Sequence, residues 1–351
     1  MAHPSIFSTF IRKSLFLICL LYALPVIAFV CARVFVGERL WWVGLLDSFL
    51  PYVLIPALIL FALALLARAW RALLLVTPLA VGTVIGFGGL FIPHPPPPIT
   101  PAWTLRVITI NISDSRLPFA QVEAWLLDHP ADLIILQESR YSLYEHFPAL
   151  AAAYPYVVEQ QLGNAIAFVS RYPLMPSEGF AEVERGFTYS PRVLMDVNGE
   201  QIAIYGMSLP APLRLMGRIP LENTRVPVIN MLWDMFFGYD SDHRDWELNH
   251  LLRRIEVDTL PVIAAGDMNL AEFSAARRRM DALLDDSFRE VGSGFGYTYP
   301  AFEAFGLPEW LPGLTRVDYV WHSDDFVALD ARVGEYVGSD HLPVVVTLAR
   351  R

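Results

Sequence analysis

Hydrophobic positions are distributed very unevenly along this chain of 351 residues. Three long apolar stretches come first, at residues 14–36, 49–67 and 72–92. The first stretch contains a single charge, Arg33, and the other two contain none. Each is long enough to cross a bilayer, whereas a cleaved signal peptide has only one short apolar core. We therefore predict a membrane anchor of three transmembrane helices in residues 1–92.

Basic residues beside these stretches predict an orientation. Arg12 and Lys13 precede the first stretch, and Arg68 and Arg71 lie between the second and the third. Arginine and lysine near span ends favour the cytoplasmic side. Three crossings then place everything after residue 92 on the opposite side, in the periplasm or outside the cell.

The chain changes character after the third stretch. Prolines dominate "PHPPPP" at 93–98, which favours an extended, stiff linker over residues 93–102. Beyond it, residues 103–351 alternate short apolar runs with amphipathic helical patterns, as in an α/β domain. The predicted strands are 104–112, 133–138, 164–170, 193–197, 202–208, 262–267, 316–322 and 344–349. The predicted helices are 118–129, 142–153, 242–258 and 272–286.

Charge narrows the choice of partners for this domain. Residues 101–351 contain 20 basic and 34 acidic residues, a net charge of −14. Such a surface repels a polyanion, which argues against tight binding of duplex nucleic acid. Both cysteines, Cys19 and Cys31, lie in the first apolar stretch, so the domain has no disulfide.

Polar residues recur where the predicted strands end or begin. Carboxylate and carboxamide oxygens are suitable ligands for Mg²⁺ or Mn²⁺, and an aspartate can orient a histidine that donates to an oxyanion. Any single one of these residues is explained equally well as a turn former, but their repetition predicts a catalytic or metal site. The residues are Asn111, Glu138, Asp267, Asn269, Asp318, Asp340 and His341.

The order of short motifs carries a family resemblance. "ITIN", "LQES", "GNAIAFVSRYPL", "GDMN", "RVDYV" and "GSDHLP" follow one another between residues 103 and 350. In this order they resemble the endonuclease/exonuclease/phosphatase superfamily. The resemblance implies a four-layer α/β sandwich of two packed sheets flanked by helices, and metal-dependent cleavage of a phosphoester. The preceding anchor is similar to that of a bacterial, membrane-bound subgroup, which implies the bacterial inner membrane.

The resemblance also implies a role for each polar residue. Glu138 is the expected principal ligand of Mg²⁺ or Mn²⁺, with Asp340 and Asn111 near the metal directly or through water. Asp267 is expected to orient or deprotonate the attacking water. Asn269 is expected to hold that water or a phosphate oxygen.

The remaining implied roles concern the phosphate. His341 is expected to donate to the non-bridging phosphate oxygens, with Asp318 holding its tautomer. We expect Asn164, Arg192 and Ser208 to contact the substrate. For Asp318, a salt bridge with its neighbour Arg316 is the alternative interpretation.

One position departs from the family pattern. Many members have histidine in the motif "THL", whereas this chain has "MSL", with Ser208 in that place. A serine hydroxyl donates a hydrogen bond but is a poor proton source near neutral pH. The alternatives are a good leaving group, a metal that suffices, His243 or His250 as the substitute, or lost activity.

A long apolar connection is the second departure. Residues 209–241 separate the strand at 202–208 from the next helix, and the stretch 228–239 contains Trp233, Phe236 and Phe237. A second apolar connection follows at 301–313. In the family both connections flank the mouth of the active site. They form either an extra helix packed on the domain or an apolar rim that faces lipid.

Three functions are compatible with these patterns. The leading hypothesis is a membrane-tethered Mg²⁺- or Mn²⁺-dependent phosphoesterase that hydrolyses a diester or a monoester, with a lipid-linked substrate as one option. The second is a membrane-anchored nuclease acting on DNA or RNA outside the cytoplasm. The third is a catalytically silent family member that binds a partner as a scaffold.

Overall fold

The computed structural model describes residues 6–96, 98–112, 119–139, 142–160, 165–178, 183–184, 187–188, 190–212, 238–305, 307–308, 310–311 and 313–351. Within it the chain divides into two compact units. The first comprises residues 1–92 with 273–275, and the second comprises residues 93–272 with 276–351.

The first unit is helical. Two of its described helices, at Thr9–Phe35 and Trp70–Phe91, are long and apolar enough to cross a membrane. Short 3₁₀ turns at Gly37–Arg39 and Gly89–Phe91 follow α1 and α5. The helices are Ile6–Phe35 (α1), Trp41–Ser48 (α2), Leu50–Leu54 (α3), Pro56–Leu66 (α4) and Trp70–Gly88 (α5).

The predicted span at 49–67 overlaps α3 and α4, and its crossing of a membrane stays a prediction. Trp41–Ser48 and Leu50–Leu66 meet at 88°, and they provide a third crossing only if this bent pair is taken as one span. Pro51 lies in the first turn of α3, a position that proline tolerates, although it cannot continue a helix from α2. The sequence pattern predicted an apolar stretch here but did not predict this bend.

Side chains of α1 and α5 bind the carbonyls near the second proline break. Pro56 has no N–H group, so the helix is interrupted between α3 and α4. The Tyr22 hydroxyl donates to the carbonyl of Val53 at 2.8 Å, and the Thr83 hydroxyl lies 3.2 Å from the carbonyl of Leu54. These bonds satisfy backbone groups that a continuous helix would pair internally.

The second unit contains fourteen described strands. They are Thr104–Asn111 (β1), Leu133–Gln137 (β2), Tyr156–Gln160 (β3), Ile166–Ser170 (β4), Leu174–Glu178 (β5), Val183–Glu184 (β6), Phe187–Thr188 (β7), Arg192–Val197 (β8), Glu200–Ser208 (β9), Val262–Asp267 (β10), Asp285–Asp286 (β11), Asp318–His322 (β12), Phe326–Val333 (β13) and Val344–Arg350 (β14).

Its described helices are short apart from one. They are Phe119–Asp128 (α6), Leu143–His146 (α7), Pro148–Ala153 (α8), Asp242–Glu256 (α9), Ala275–Asp281 (α10) and Ser287–Val291 (α11), with a 3₁₀ turn at Phe302–Phe305.

These strands form two six-stranded sheets and a small β6–β7 pair within the described residues. The first sheet has the order β13-β14-β1-β2-β4-β3, and the second has the order β11-β12-β10-β9-β8-β5. Both mix parallel and antiparallel pairs, because β1 runs parallel to β2 and β9 runs parallel to β10. The predicted α/β class is therefore correct.

The two sheets pack face to face. Side chains from both inner faces form one buried cluster, including Leu105, Val107, Leu133, Ile135, Ile204, Ile263 and Val320. The next residues along the strands point outward, as the period of two in a strand requires. On the first sheet they pack against α6, and on the second against α9 and α10. The layers are therefore helices, sheet, sheet and helices.

Several predicted boundaries differ from the structure. The helix predicted at 142–153 is split into α7 and α8, because Pro148 cannot continue α7. The helix predicted at 272–286 begins at Ala275 and ends at Asp281, and Asp285–Asp286 forms a short strand. Strands β3, β5 and β13 were not predicted.

Candidate active site

Strand register brings three predicted site residues into one row of the second sheet. Asp267, the last residue of β10, lies opposite Ser208 of β9 and opposite Asp318 of β12. Adjacent strands lie about 4.8 Å apart, so the register alone makes these three side chains neighbours. Asp267 and Asp318 are buried, with at most 2% of either exposed.

The turn after β10 has an unusual backbone. Gly266 has a φ of +145°, and a Cβ atom there would lie 2.0 Å from the carbonyl oxygen of Met207, so only glycine fits. Asn269 has a φ of +48°, in the left-handed region that few non-glycine residues adopt. Its backbone N–H donates to Asp267 Oδ1 at 2.9 Å, and its side-chain Nδ2 lies 3.2 Å from Asp267 Oδ2. The turn therefore directs two donors at one carboxylate.

Asn111 connects the two sheets at this edge. Its Nδ2 lies 3.0 Å from Glu138 Oε1, at the end of β2 in its own sheet, and 3.0 Å from Asp267 Oδ2 in the other sheet. Glu138 has a φ of +57°, a second left-handed backbone at a strand end. Such conformations are unfavourable and cluster at functional sites.

His341 pairs with Asp318 beside Asp267. The imidazole Nδ1 lies 2.9 Å from Asp318 Oδ2, and Nε2 lies 4.0 Å from Asp267 Oδ2. Burial disfavours a charged imidazole, but the carboxylates of Asp318, Asp267 and Asp340 raise the pKa of His341 to about 10. These carboxylates therefore favour the protonated imidazole, whose Nε2 lies on the side of Asp267.

Burial also shifts the pKa of Asp267 itself. Its complete burial raises the pKa of this carboxyl above the usual range, and the negative charge of Asp318 adds to the increase. His341 and the hydrogen bonds from Asn269 and Asn111 act in the opposite direction. The bonds from the two asparagines therefore help to keep Asp267 ionised.

The sequence reasoning missed three residues that shape the site. The Thr298 hydroxyl accepts the backbone N–H groups of Val317 and Asp318, each at 3.2 Å. The Tyr299 ring lies 4.7 Å from the His341 ring, centroid to centroid. Ser339 donates to the Asn111 carbonyl at 2.7 Å. The motifs "YTYP" and "GSDHLP" contain these residues and were the available signal.

Tyr299 is buried beside this cluster. Burial raises the pKa of its phenol, and the negative charges of Asp340, Asp267 and Glu138 raise it further in that order. Its position is held by backbone pairing with Thr315, whose N–H donates to the Tyr299 carbonyl at 2.8 Å.

The arrangement is suited to a divalent cation. Asp267, Asp318 and His341 bring three ligand atoms within 4.8 Å of one another, although the short bond between Asp318 and His341 already uses two of their atoms. Asp340 Oδ1 is buried and has no hydrogen-bond partner among the described residues. A buried carboxylate oxygen without a partner is costly unless a cation neutralises it. Glu138, Asp340 and Asn111 carry side-chain oxygens of the kind that a hard metal ion prefers.

Other predicted residues lie elsewhere. Arg192 is bound by Asp258, with Nε and Nη2 each within 2.9 Å of its carboxylate, and Nη1 donates to Ser177. The structure therefore does not bring Arg192 to the cluster around Asp267, because this ion pair holds its guanidinium. Asn164, Trp233, Phe236 and Phe237 lie outside the described residues.

The two candidate substitutes for the missing histidine lie on α9. His243 pairs with Glu247, with Nε2 3.0 Å from the carboxylate, and His250 stacks on Trp246 with ring centroids 5.9 Å apart. Neither contact involves the cluster around Asp267. Ser208 is placed beside Asp267 by strand register, so the hydroxyl is the group that the chain presents there.

Two packed β-sheets thus carry a buried cluster of carboxylate, amide and imidazole groups at one edge. Residues 108–341 match the model of the endonuclease/exonuclease/phosphatase family. The chain therefore belongs to this family. A comparison with curated proteins found no match.

Solved structures with a similar fold come from bacteria and animals. TDP2 from D. rerio, in complex with a single-strand DNA product, is 17% identical with a TM-score of 0.50, over 70% of this chain and 98% of that one. A family member from Bacteroides vulgatus is 15% identical with a TM-score of 0.48, over 71% and 100%. The 3′ phosphatase NExo from Neisseria, bound to a product DNA hairpin, is 18% identical with a TM-score of 0.47, over 69% and 98%. At these identities the likeness concerns the fold alone.

Proposed function

We propose that this chain is a membrane-tethered, metal-dependent phosphoesterase whose substrate carries a lipid. One observation supports the hydrolase activity most strongly. Asn111 Nδ2 contacts both Glu138 and Asp267, while the His341–Asp318 pair also lies beside Asp267. One small site thus combines a carboxylate for a metal, a carboxylate for water and an imidazole for the phosphate.

Glu138 is the principal ligand in this proposal, with Asp340 and Asn111 beside it. Bound Mg²⁺ or Mn²⁺ neutralises phosphate charge and stabilises the departing oxygen. The buried, unpartnered Oδ1 of Asp340 supports its assignment to the metal group.

The attack on phosphorus is assigned to the second sheet. Asp267 orients the water and accepts its proton, and Asn269 keeps the Asp267 carboxylate in one orientation through its two donors. His341 donates from Nε2 to a non-bridging phosphate oxygen as negative charge develops, and Asp318 accepts from Nδ1 to hold the ring. Asp267 and Asp318 lie opposite each other on β10 and β12, Asn269 follows β10, and His341 lies in the loop before β14 of the first sheet.

For protonation of the leaving group, the chain offers only a weak acid, the hydroxyl of Ser208. Ser208 lies opposite Asp267 in the strand register, where its hydroxyl reaches a phosphate oxygen only as a neutral donor. The proposal therefore assigns Ser208 to binding and favours substrates whose leaving oxygen does not need a strong acid.

A lipid-linked substrate is supported by the apolar parts of the chain. Two described helices are long and apolar enough to cross a bilayer. The 301–313 connection begins and ends beside Tyr299, whose ring contacts that of His341. Within this connection, Leu307 is 45% exposed and Trp310 is 78% exposed. Tryptophan is favoured at membrane interfaces. For the 228–239 stretch, contact with lipid stays a prediction from composition.

Nucleic acid is the alternative substrate. TDP2 from D. rerio and NExo from Neisseria have DNA products in their structures. The net charge of −14 over residues 101–351 argues against a polyanionic substrate here. A silent scaffold is the third hypothesis, and the assay below separates it from both hydrolases.

A substrate panel tests the proposal. The full-length protein is assayed in detergent micelles with Mg²⁺ or Mn²⁺ on a phospholipid, on single- and double-stranded DNA, and on a short soluble phosphodiester. We expect the highest kcat/KM on the lipid. Preferred cleavage of DNA would replace the lipid proposal with the nuclease, and absence of any hydrolysis would favour the scaffold.

Apolar substitutions refine the same comparison. Trp233→Ser with Phe236→Ser, and Trp310→Ser separately, are expected to lower hydrolysis of the lipid while sparing the soluble diester. Equal loss on both substrates, with a lower melting temperature, would instead identify these side chains as ordinary core.

A further inference from the structure

A buried arginine from α9 holds the turn that carries Asn269. Arg244 lies in the first turn of this helix and is 2% exposed. Its Nη1 donates to the backbone carbonyl of Asn269 at 2.9 Å. Arginine is almost never buried this completely unless its charge is paired, so the contact has a specific cause.

Asp245 sets the orientation of Arg244 by binding the Nε and Nη2 edge of its guanidinium group. Nε and Nη2 both lie near Asp245 Oδ1, at 3.4 and 3.2 Å. Asp245 in turn accepts from Ser241 at 3.0 Å and from Arg279 at 3.2 Å. Asp245 therefore fixes the plane of the guanidinium group, and this orientation directs Nη1 at the Asn269 carbonyl.

The carbonyl that Arg244 binds belongs to a residue with an unfavourable backbone. Asn269 has a φ of +48°, and this conformation allows its N–H and its Nδ2 to reach the two oxygens of Asp267. The same Nδ2 lies 2.8 Å from the carbonyl of Leu209. Because left-handed backbone persists only where surrounding contacts hold it, a strong donor on the Asn269 carbonyl stabilises the catalytic arrangement.

We propose that Arg244 is a positioning residue for the hydrolysis assigned to this site. It holds the left-handed backbone of Asn269 and thereby aims both donors of Asn269 at Asp267. The proposal rests on the proposed function, because it gives the arrangement a reaction to serve. Among the described residues, the hydrogen bonds of Arg244 go to Asp245 and to the Asn269 carbonyl, so its role acts through Asn269.

Kinetics of the full-length protein provide the first test. The variants are Arg244→Met, Arg244→Lys and the control Arg253→Met, which removes an exposed arginine from the same helix. We measure kcat and KM on a soluble phosphodiester with Mn²⁺, normalised to the folded fraction. Arg244→Met should lower kcat about 10- to 100-fold, as loss of a supporting contact commonly does, with KM changed less than about twofold.

The other two variants sharpen this result. Arg244→Lys should fall between Arg244→Met and the wild type, because one ammonium cannot bind Asp245 and the Asn269 carbonyl in the same fork geometry. Arg253→Met should keep the wild-type kcat. A wild-type kcat per folded molecule in Arg244→Met, with only a lowered melting temperature, would show a purely structural arginine and overturn the proposal.

A spectroscopic readout separates this proposal from the proposed function. The chain has seven asparagines, so selective ¹⁵N-asparagine labelling gives a simple spectrum in which Asn269 is assigned by substitution. The Asn269 signals should shift in the Arg244 variants and not in Arg253→Met. If Arg244→Met does not fold, Arg244→Lys serves for both measurements.

The two proposals can therefore fail separately. A wild-type protein without metal-dependent hydrolysis refutes the proposed function, whatever the spectra show. Asn269 signals unchanged in every folded Arg244 variant refute the positioning role, even where the wild type is an active hydrolase.

Discussion

Replacing Asp318, the partner of His341, by asparagine removes its negative charge and keeps nearly the same shape. Asp318 is fully buried, and its Oδ2 lies 2.9 Å from His341 Nδ1. Its backbone N–H donates to the Thr298 hydroxyl, a bond that the substitution leaves in place. Asparagine has nearly the same size and can still accept from Nδ1 through its amide oxygen. The variant should therefore fold while the imidazole loses its anionic partner.

The expected loss follows from the charge of the imidazole. Asp318 makes the largest contribution to raising the pKa of His341, against the effect of burial. Without it, the positive charge on the imidazole loses the largest part of its stabilisation, and the donor to the phosphate weakens. A hydrogen bond to a charged group contributes about 1.5–3 kcal/mol, against about 1 kcal/mol for a neutral one. Together with poorer control of the tautomer, a loss of about 2–3 kcal/mol in the transition state lowers kcat about 30- to 150-fold.

Initial rates on a soluble phosphodiester with Mn²⁺ test this value. Asp330→Asn is the matched control, because it makes the same chemical change at an exposed position of β13. Asp330→Asn should keep the wild-type rate, and Asp318→Asn should keep the wild-type KM within about threefold. A kcat of Asp318→Asn within threefold of the wild type would refute the assigned role of the His341–Asp318 pair.

Three further predictions concern stability and topology. Asp286→Asn should lower the free energy of unfolding by about 3–5 kcal/mol, because both carboxylate oxygens accept from buried Arg316 at 2.6 Å; thermal melting tests this, and an unchanged melting temperature would contradict it. Burial favours neutral Asp258, but the hydrogen bond from Arg192 lowers its pKa below the ordinary value. The contribution of ionised Asp258 to the free energy of unfolding is therefore complete above the unfolded pKa of about 3.9 and is lost as pH falls through the folded pKa. The difference in melting temperature between the wild type and Asp258→Asn should shrink below about pH 4. A difference that stays constant with pH would contradict this prediction. A reporter active only in the cytoplasm, fused after Arg351, should be silent if the chain crosses the membrane three times, and an active reporter would refute that topology.

Much of the catalytic unit follows from sequence pattern because its strands are strongly apolar. Strands β2, β4, β10 and β12 are buried at every position, and each was predicted within two residues of its observed bounds. The edge strand β5 was missed, because "LMPSE" is mostly exposed and lacks a continuous apolar run. Strand β13 was missed because its alternation is interrupted by a bulge between Ala328 and Asp330.

The residues that form the candidate site were predictable from the sequence. The residue that holds one of them in position, Arg244, was not. Asn111, Asp267, Asp318 and His341 stand in recognisable motifs, and the structure brings them together. Arg244 carries no such signal, because its partner is a backbone carbonyl 25 residues away. Long-range contacts between a side chain and the backbone leave no pattern in one sequence.

The bend between α2 and α3 in the first unit was also not predictable from the sequence pattern. The apolar composition of 49–67 is the same whether the helix is straight or bent. Pro51 and Pro56 lie within it, but prolines occur in continuous membrane helices as well, as Pro25 does in α1. Composition therefore indicates an apolar environment and leaves the path of the backbone open.

Metal-dependent hydrolysis by the wild type and by Glu138→Gln tests the central claim most directly. The assay follows cleavage of bis(p-nitrophenyl) phosphate by the full-length protein with Mg²⁺ or Mn²⁺, with and without a chelator, beside His341→Ala. We expect turnover that the chelator abolishes and that falls at least about 100-fold in each variant, because one loses a charged metal ligand and the other a donor to the transition state. Turnover that resists the chelator, or that Glu138→Gln retains in full, would contradict a metal-dependent phosphoesterase built on these residues.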